Sequence, residues 1–194
     1  MPWWKKLVVA AGLIVGTARV AWVIDGDTVI LADRTHIRLI GINTPEKGEC
    51  YYNQATAQTK SLLFAKGVTL EKDLNPFDRY GRTLAYIYLK NNSVSVNEKL
   101  LEQGAGVFSL DTVNIKYQTR LIQAAETARL KPMGLWKECG PCNIKGNYDI
   151  RGHRYYHLPS FRHYFQTVMN LNKGDRWFCS EAAAQNAGFT RARE

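Results

Sequence analysis

Three short hydrophobic segments separated by polar turns constrain the fold more than any other feature of this sequence. They lie in "RVAWVIDGDTVILADRTHIRLIGI", residues 19–42. β-Branched and aromatic residues, which favour strands, dominate each segment. A glycine-containing turn at residues 25–27 and a polar turn at residues 32–35 separate them. This part of the chain therefore predicts three strands in a meander.

The following residues predict two more strands and three helices. Apolar and small residues recur at helical spacing in residues 53–65 and from Tyr117 onward, where Pro132 ends the second pattern. Between them, "VTLEKDL" and "TLAYIYL" are strand segments separated by the turn sequence "NPFDRYGR". Ser95 and Glu98 have capping-box spacing at the start of a short helix between these two helices, the second in chain order. We therefore expect an α+β fold with five strands.

The length and charge of the chain limit its organisation and its partners. A chain of 194 residues can bury one core and a small second module. The composition changes near Asn143, after which apolar periodicity is weak until "SEAAAQNAG", a short helix with Ser180 as N-cap. We predict a leader at 1–18, a main domain at 19–138 and a small module at 139–194. Lys and Arg number 26 against 17 acids, so the surface should attract polyanions, nucleic acid first and an anionic membrane second.

The first 18 residues have the order of a secretory signal. Lys5 and Lys6 precede an apolar run at residues 7–15, and the small residues Gly16 and Ala18 follow. The run is shorter than the roughly 20 residues that span a bilayer. We expect secretion or a periplasmic location, with a membrane anchor and a strand preceded by a hydrophobic leader as alternatives. Cleavage after Ala18 would leave almost no spacer before the first strand.

Charged residues occur in and beside the first predicted strands. Asp27 lies in an Asp-Gly-Asp turn, from which a carboxylate could reach a hard cation, although such turns are also common hairpin connections. Arg38 lies in an apolar strand, where a guanidinium needs an anionic partner, and Glu46 follows the turn that ends this strand. A structural salt bridge between Arg38 and a carboxylate would explain the presence of Arg38 and Glu46 without any catalytic role.

A second charged segment, "DRYGRTLAYIY", begins before the fifth strand. Arg79 and Arg82 bracket Tyr80 there, which places fork-shaped donors beside an aromatic ring. We expect Arg79 and Tyr80 to contact substrate, with a solvated turn as the alternative.

Three motifs occur together in a fixed order: "IDGDTV", "IRLIGINTPE" and "DRYGRTLAYIY". Their order and spacing resemble the thermonuclease family, the staphylococcal-nuclease-like domains, over approximately residues 20–136. The resemblance implies a five-stranded OB-type β-barrel with three helices, to which this chain adds a small Cys-containing C-terminal module. It also implies a calcium-dependent phosphodiesterase that acts on DNA and RNA.

The resemblance assigns roles to five residues. Asp27 matches the family's calcium carboxylate, Thr44 the residue that supplies a carbonyl ligand, and Glu46 the residue that activates water. Arg38 and Arg82 match the two arginines that grip the phosphate. The chemistry suits these types, because Ca²⁺ accepts carboxylate, carbonyl, water and phosphate oxygens. Two guanidinium groups can stabilise the charge that develops on the phosphorus oxygens.

The chain departs from the family pattern at two places. Where many relatives have an aspartate as a second calcium ligand, this chain has Asn43. Its amide oxygen can still ligate calcium, but the site has one formal negative charge fewer, so we expect weaker calcium binding. The segment "GAGVFSLDT" lacks the tyrosine pair that stacks on the base in the best-known member, although Tyr80 and Tyr117 remain.

The four cysteines are Cys50, Cys139, Cys142 and Cys179, which allow three pairings. An exported chain would oxidise them. "CGPC" also spells the thioredoxin redox motif, but it lacks the preceding strand and following helix that this motif needs. Resemblance to exported relatives implies that Cys50 pairs with Cys139, and we expect Cys142 to pair with Cys179 across the tail. Zinc held by Cys142, Cys179 and histidines is the alternative.

The tail from Asn143 resembles a small module appended to some bacterial nuclease domains, in which "IKGN", "YH.P" and "RWFCSEAEA..AG" recur. No function is implied by that resemblance. The tail has eight Lys and Arg against four acids, with histidines and tyrosines interleaved. This composition favours a surface that contacts nucleic acid.

The leading interpretation is an exported, calcium-dependent endonuclease with DNA and RNA as substrates. We expect a monomer with no obligate protein partner. The alternative is a catalytically silent barrel that only binds nucleic acid, as OB-type barrels often do. Asn43 favours that alternative, whereas Glu46 argues against it, because a pure binding module has no need for a glutamate beside the phosphate. A structural or adhesive role would predict calcium-insensitive binding without turnover.

Overall fold

The computed structural model describes residues 14–193, so residues 1–13 of the predicted leader lie outside the described part. In chain order the elements are β1 (Ile14–Val23), β2 (Thr28–Leu31), β3 (His36–Leu39), β4 (Ile42–Asn43), α1 (Tyr52–Leu63), β5 (Gly67–Glu71), β6 (Thr83–Leu89), α2 (Val96–Glu102), β7 (Val107–Phe108), α3 (Gln118–Leu130), α4 (Leu135–Glu138), β8 (Ile144–Tyr148), β9 (Arg154–His157), β10 (Arg176–Phe178), α5 (Glu181–Asn186) and β11 (Thr190–Arg191). Within residues 14–193, no helix is both long enough and apolar enough to cross a bilayer.

Five strands close into a barrel in the order β1-β2-β3-β6-β5. The first three form the predicted antiparallel meander, and β3 pairs with β6 in parallel. One face of each strand is apolar, and the inward side chains of Val20, Val29, Ile37 and Ile87 are fully buried. Closure pairs every barrel strand on both sides, which removes exposed edges. The prediction of an α+β fold with a five-stranded OB-type barrel is confirmed.

The first strand begins earlier than the sequence suggested. Ile14 pairs with Glu71, and Ala18 pairs with Val68 on β5. The last residues of the predicted leader therefore form part of the barrel wall. Cleavage after Ala18 would remove the first half of β1, and the processing of the leader stays a prediction.

Three main helices, α1, α2 and α3, occupy the predicted positions. Ser95 caps α2, because its hydroxyl accepts a hydrogen bond from the Glu98 backbone N–H at 3.2 Å. The fully buried Asn97 fixes α2 to the barrel: its Oδ1 accepts from the Ile87 N–H at 3.0 Å, and its Nδ2 donates to the carbonyl oxygens of Ile40 and Ala85 at 2.9 and 3.1 Å. The position of α2 on the barrel is thus set by specific hydrogen bonds as well as by apolar contact.

Residues 144–191 form a four-stranded sheet in the order β10-β8-β9-β11, with α5 on one face. Its small core is separate from that of the barrel and contains Ile144, Tyr156, Phe178, Ala184 and Phe189. The sequence predicted only the helix α5 and its Ser180 cap, whose hydroxyl accepts from the Ala183 N–H at 3.1 Å. The strands escaped prediction because they are two to five residues long and polar residues alternate with aromatic ones. We call residues 144–193 the C-terminal module.

Two disulfides lie where the barrel and the C-terminal module meet. Cys50, in the loop after β4, is bonded to Cys139 at the end of α4, and Cys142 is bonded to Cys179 after β10. This is the predicted pairing. Neither cysteine of "CGPC" is bonded to the other, and both Cys142 and Cys179 are occupied, so neither is free to ligate zinc. The first bond fixes the loop that carries Glu46 to the end of α4, and the second attaches the end of β10 in the C-terminal module to the segment that follows α4.

Candidate active site

Asp27 is the centre of the candidate active site, at the turn between β1 and β2. Its Oδ2 accepts hydrogen bonds from the Thr44 backbone N–H at 2.8 Å and from the Thr44 hydroxyl at 3.1 Å. Its Oδ1 accepts from the Thr28 hydroxyl at 3.0 Å and lies 3.1 Å from Nε of Arg38. The preceding Gly26 must be glycine, because a Cβ there would lie 2.6 Å from the Thr44 side chain. The turn thus packs against Thr44 and fixes the Asp27 carboxylate.

Arg38 has the anionic partner that its position in an apolar strand requires, and that partner is Asp27. Its Nη1 also donates to the carbonyl oxygens of Leu39 at 2.6 Å and Ile42 at 2.7 Å, and its Nη2 donates to Oδ1 of Asn43 at 3.2 Å. The guanidinium is therefore held in one orientation. The side chain remains 15% exposed, which leaves surface for a substrate oxygen.

Arg82 joins the same group through Thr28. Its Nε donates to Oδ2 of Asp78 at 2.7 Å, and its Nη1 donates to the Thr28 hydroxyl at 3.4 Å. Burial alone would raise the pKa of Asp78, but side-chain and backbone hydrogen bonds from Arg82 and a backbone hydrogen bond from Tyr80 outweigh it and lower that pKa. Asp78 therefore stays ionised and orients Arg82. The Thr28 hydroxyl contacts both Asp27 and Arg82, so the two predicted phosphate-binding arginines belong to one hydrogen-bonded network.

Tyr80 lies at the rim of this network and is 68% exposed. The guanidinium carbons of Arg79 and Arg82 lie 4.7 and 5.6 Å from the centre of its ring. Arg79 also donates a hydrogen bond to the Tyr80 hydroxyl. The predicted substrate contacts thus form an exposed aromatic and basic edge beside Arg82.

Glu46 follows Thr44 and Pro45 and is exposed at the surface. Partial desolvation by neighbouring atoms is the main cause that raises its pKa, followed by the negative charges of Asp27 and Glu49, while Arg38 and Arg82 act in the opposite direction. Its backbone N–H donates to Oε2 of Glu49 at 2.9 Å. The carboxylate of Glu46 is therefore within electrostatic reach of Asp27 and of both arginines.

Asp25 is a further acidic residue of this site. Burial, and then the charge of Asp27, raise the pKa of Asp25 to about 6. Its Oδ1 accepts a hydrogen bond from the Asp27 N–H at 3.0 Å. Two carboxylates thus share one turn, and one of them holds its proton more tightly than usual.

The oxygen donors around Asp27 fit a calcium ion. The set comprises the carboxylates of Asp25 and Asp27, the amide of Asn43 and the carbonyl of Thr44, all of them hard oxygen ligands. The raised pKa values of Asp25 and Glu46 both include repulsion from Asp27, which a cation would relieve. In residues 14–193, no three acidic, histidine or cysteine side chains form a metal-binding cluster. Asn43 and the Thr44 carbonyl would therefore have to complete the ligand set.

Comparison with known proteins agrees with this geometry. The family described as "Staphylococcal nuclease homologue" matches residues 36–138, a segment that holds Arg38, Glu46 and Arg82. The chain belongs to the staphylococcal nuclease family. It is 37% identical over 129 residues to the thermonuclease of Staphylococcus hyicus, an alignment that covers 62% of this chain and 75% of that protein.

Two further relatives of this staphylococcal nuclease family member have similar coverage. It is 36% identical to the thermonuclease of Staphylococcus intermedius, over 59% of this chain and 73% of that protein. It is 33% identical to an uncharacterized endonuclease of Escherichia coli, over 63% of this chain and 78% of that protein. These relationships confirm the predictions of a thermonuclease-like family and of a nuclease-type hydrolase. The family match ends at Glu138, so the resemblance of the C-terminal module stays a prediction.

The structure brings the predicted site residues together to different degrees. Asp27, Arg38, Asn43 and Thr44 are in direct contact, Arg82 is linked through one hydroxyl, and Glu46 lies beside them. Arg79 and Tyr80 occupy the rim, and the four cysteines serve as links. Sequence reasoning omitted four residues that orient the others: Asp25, Thr28, Glu49 and Asp78. The Asp-x-Asp spacing and the acidic residues three or four positions from Glu46 and Arg82 were the signals available for three of them.

Proposed function

We propose that this nuclease is a calcium-dependent endonuclease that hydrolyses phosphodiester bonds of DNA and RNA. One observation carries the proposal: Arg38 and Arg82 are joined through Asp27 and Thr28 into one network, and Glu46 lies within electrostatic reach of both arginines. A phosphate bound between the arginines would have a carboxylate beside it. A carboxylate beside the bound phosphate could accept a proton from a water that attacks the phosphodiester.

The two arginines would bind the phosphate and stabilise the charge that develops during attack. Asp27 and Asp78 hold Nε of Arg38 and of Arg82, which orients both guanidinium groups before substrate binds. Nη1 and Nη2 of Arg38 also donate to protein groups, so a phosphate oxygen would take the remaining N–H of Nη2 or replace one of these partners. A planar guanidinium can give two parallel hydrogen bonds to phosphate oxygens, which a lysine ammonium cannot reproduce.

Glu46 would accept the proton of the attacking water. A general base must be ionised when substrate arrives, and it is most effective when its pKa lies towards the working pH. Partial desolvation and the nearby Asp27 raise the pKa of Glu46, which increases its basicity. The hydrogen bond from the Glu46 N–H to Glu49 holds the backbone of the loop that carries it.

Asp27, Asn43 and the carbonyl of Thr44 would hold the calcium ion. When bound, calcium supplies Lewis-acid polarisation of a phosphoryl oxygen. Asp27 already interacts with Arg38 and Thr44, so these residues orient it for that role. Because Asn43 contributes an amide oxygen in place of a carboxylate, the site carries less negative charge.

The test uses the purified protein with plasmid DNA, single-stranded DNA and single-stranded RNA, each with calcium or with chelator. We expect calcium-dependent cleavage that is lost with chelator and falls by at least about a hundredfold in Glu46→Gln, as for other general bases. Glu102→Gln, at an exposed position of α2, is the matched control and should keep full activity. Cleavage that is insensitive to chelator or to Glu46→Gln would contradict the mechanism.

A second candidate function is nucleic-acid binding without cleavage. Asn43 favours it, because this position contributes no charge and its Oδ1 accepts from Arg38. In the same experiment, this function predicts that DNA binds and stays intact up to millimolar calcium.

We also propose that the protein is exported. Two disulfides support this, because such bonds persist in oxidising compartments. The start of β1 at Ile14 favours processing before this residue over cleavage after Ala18. Fractionation of expressing cells, followed by mass measurement of the N-terminus, tests both statements. Intact, unprocessed protein in the cytoplasm would contradict them.

A further inference from the structure

A cavity of about 380 Å³ lies between the loop that follows β4 and the C-terminal module. Thr44, Glu46 and Glu49 contribute to its wall on the barrel side. Residues 176–180, Ala183 and Asn186 contribute to its wall on the side of the module, and we call the space between them the interdomain cavity. Three predicted residues of the candidate active site, Asn43, Thr44 and Glu46, therefore also line this cavity.

The walls of the interdomain cavity are connected by covalent and hydrogen bonds. Cys50 and Cys139 line it and are bonded to each other, and Cys179, also in its wall, is bonded to Cys142. Across the cavity, Nδ2 of Asn186 donates to Oε1 of Glu49 at 3.2 Å. The same Glu49 accepts from the Glu46 N–H through its other oxygen. The cavity is thus a preformed feature attached to the loop of Glu46.

The lining combines apolar surface with polar side chains. Trp177 and Phe178 supply aromatic surface, and Leu135 and Ala183 supply aliphatic surface. Ser180 adds a hydroxyl to the wall. A ligand with a flat apolar face and a polar edge that accepts hydrogen bonds would complement both features. Ligand sites of this size, about 300–1,000 Å³, commonly have such a composition.

We propose that the interdomain cavity binds the nucleobase of a nucleotide that flanks the cleaved phosphodiester. This inference rests on the proposed function, since it places the phosphate at Arg38 and Arg82. Because Thr44 and Glu46 border both the phosphate position and the cavity, a strand cleaved beside Glu46 has the cavity within reach of an adjacent base. The C-terminal module then forms part of the substrate site, which gives this otherwise unassigned module a role.

The base has the chemistry that the cavity requires. Its flat face matches the aromatic surface, and its ring nitrogens and carbonyl oxygens can accept from a polar side chain of the wall such as Ser180. Stacking of a base on aromatic side chains is sequence-tolerant. The cavity therefore contributes affinity for any nucleotide chain.

The test compares a thymidine hexanucleotide with versions that carry a single abasic residue at a central position. Mass spectrometry measures kcat/KM for each bond. For the wild-type protein, we expect kcat/KM to fall roughly tenfold at one of the two bonds that flank the abasic residue, within the range of about five- to a hundredfold typical of one lost base–aromatic contact. Equal cleavage of the abasic and complete strands at both flanking bonds would overturn the proposal.

Ala183→Phe fills the cavity, and Ala182→Phe, on the exposed side of the same helix, is its matched control. Ala183→Phe should lower kcat/KM for the complete strand roughly tenfold and leave the abasic strand unchanged, whereas Ala182→Phe should match wild type. Circular dichroism checks that both variants fold, and the abasic comparison in wild type requires no variant.

Two failures can be separated. If Glu46→Gln abolishes cleavage but neither base removal nor Ala183→Phe has an effect, the nuclease function stands and the base site is wrong. If the wild type cleaves nothing, fluorescence anisotropy with labelled complete and abasic strands decides: weaker binding of the abasic strand supports the cavity, and equal binding overturns it.

Discussion

Asn43 has two structural roles at a single position. Its backbone pairs with Val107 between β4 and β7, and its side-chain oxygen accepts a hydrogen bond from Arg38. The two-residue strand holds the amide against Arg38, and Arg38 in turn contacts Asp27. The side chain at this position can therefore be changed while its backbone stays fixed.

Asn43→Asp should lower the calcium concentration needed for half-maximal cleavage. One additional negative charge near the cation contributes on the order of 1–2 kcal/mol at a solvated site, which corresponds to a change of about five- to thirtyfold. A calcium titration of cleavage measures this concentration directly. Asn92→Asp, in the exposed turn after β6, adds the same charge elsewhere and serves as the control. An unchanged calcium requirement would show that Asn43 does not ligate the ion.

Among the elements, α2 depends most on a single buried polar side chain. Asn97 makes three hydrogen bonds to backbone groups of the barrel: two to β6, and one to Ile40, directly after β3. The capping-box spacing of Ser95 and Glu98 predicts the helix, but it does not predict the role of this amide, because the hydrogen bonds of Asn97 join residues distant in the chain.

Asn97→Ala should lower the free energy of unfolding by about 2–4 kcal/mol. The substitution leaves the Ile87 N–H without its partner, and a buried unsatisfied group costs about 1–3 kcal/mol beyond the lost packing. Urea denaturation gives this difference. Gln123→Ala, at an exposed position of α3, should change stability by less than about 0.5 kcal/mol. A comparable loss in both variants would argue against a specific role for Asn97.

The sheet of the C-terminal module contains a histidine that is held neutral. His157 on β9 hydrogen-bonds through Nε2 to Oδ1 of Asn147 at 2.8 Å. Burial, and then the charge of Lys145, lower the pKa of His157. In the unfolded chain its pKa returns to about 6.5, so the unfolded state binds a proton first as the pH falls.

The stability of this sheet should therefore decrease as the pH drops through about 6.5 and towards the lower folded pKa of His157. Thermal unfolding between pH 7.5 and 5.5 measures this loss. His157→Gln should flatten the dependence, while His36→Gln, at an exposed position on β3, should retain it. A pH profile identical in wild type and His157→Gln would exclude this histidine as the cause.

At the scale of the whole molecule, the two disulfides differ in the length of chain that they close. Cys50 and Cys139 are 89 residues apart, and Cys142 and Cys179 are 37 residues apart. The double variant Cys50→Ser with Cys139→Ser should lose about 2–4 kcal/mol of stability. The double variant Cys142→Ser with Cys179→Ser should lose about 0.8 kcal/mol less stability than the first double variant, because its disulfide closes a shorter loop. Denaturant titration orders the two variants, and the reverse order would contradict this account.

The sequence was most informative where local patterns are long. It predicted the meander, the three helices and the Ser95 and Ser180 caps, because each follows from residues close in the chain. The family motifs predict Asp27, Arg38 and Arg82 as site residues without any knowledge of their contacts. The strands of the C-terminal module depend on pairing between distant residues. The link that Thr28 makes between the two arginines, and the orientation of Arg82 by Asp78, depend on the directions of a hydroxyl and a carboxylate. Such features leave no periodic signal.

Because β3 pairs with β6 in parallel, the candidate active site can form only when the barrel folds. Arg38 is opposite Leu84 in this pair, and Arg82 lies two residues before Leu84. Strands from distant parts of the chain must therefore meet before both guanidinium groups can face one phosphate. A nascent or unfolded chain therefore has no assembled active site and should not cleave nucleic acid inside the cell that makes it. In a refolding experiment, the recovery of cleavage activity should follow the fraction of molecules whose barrel has closed.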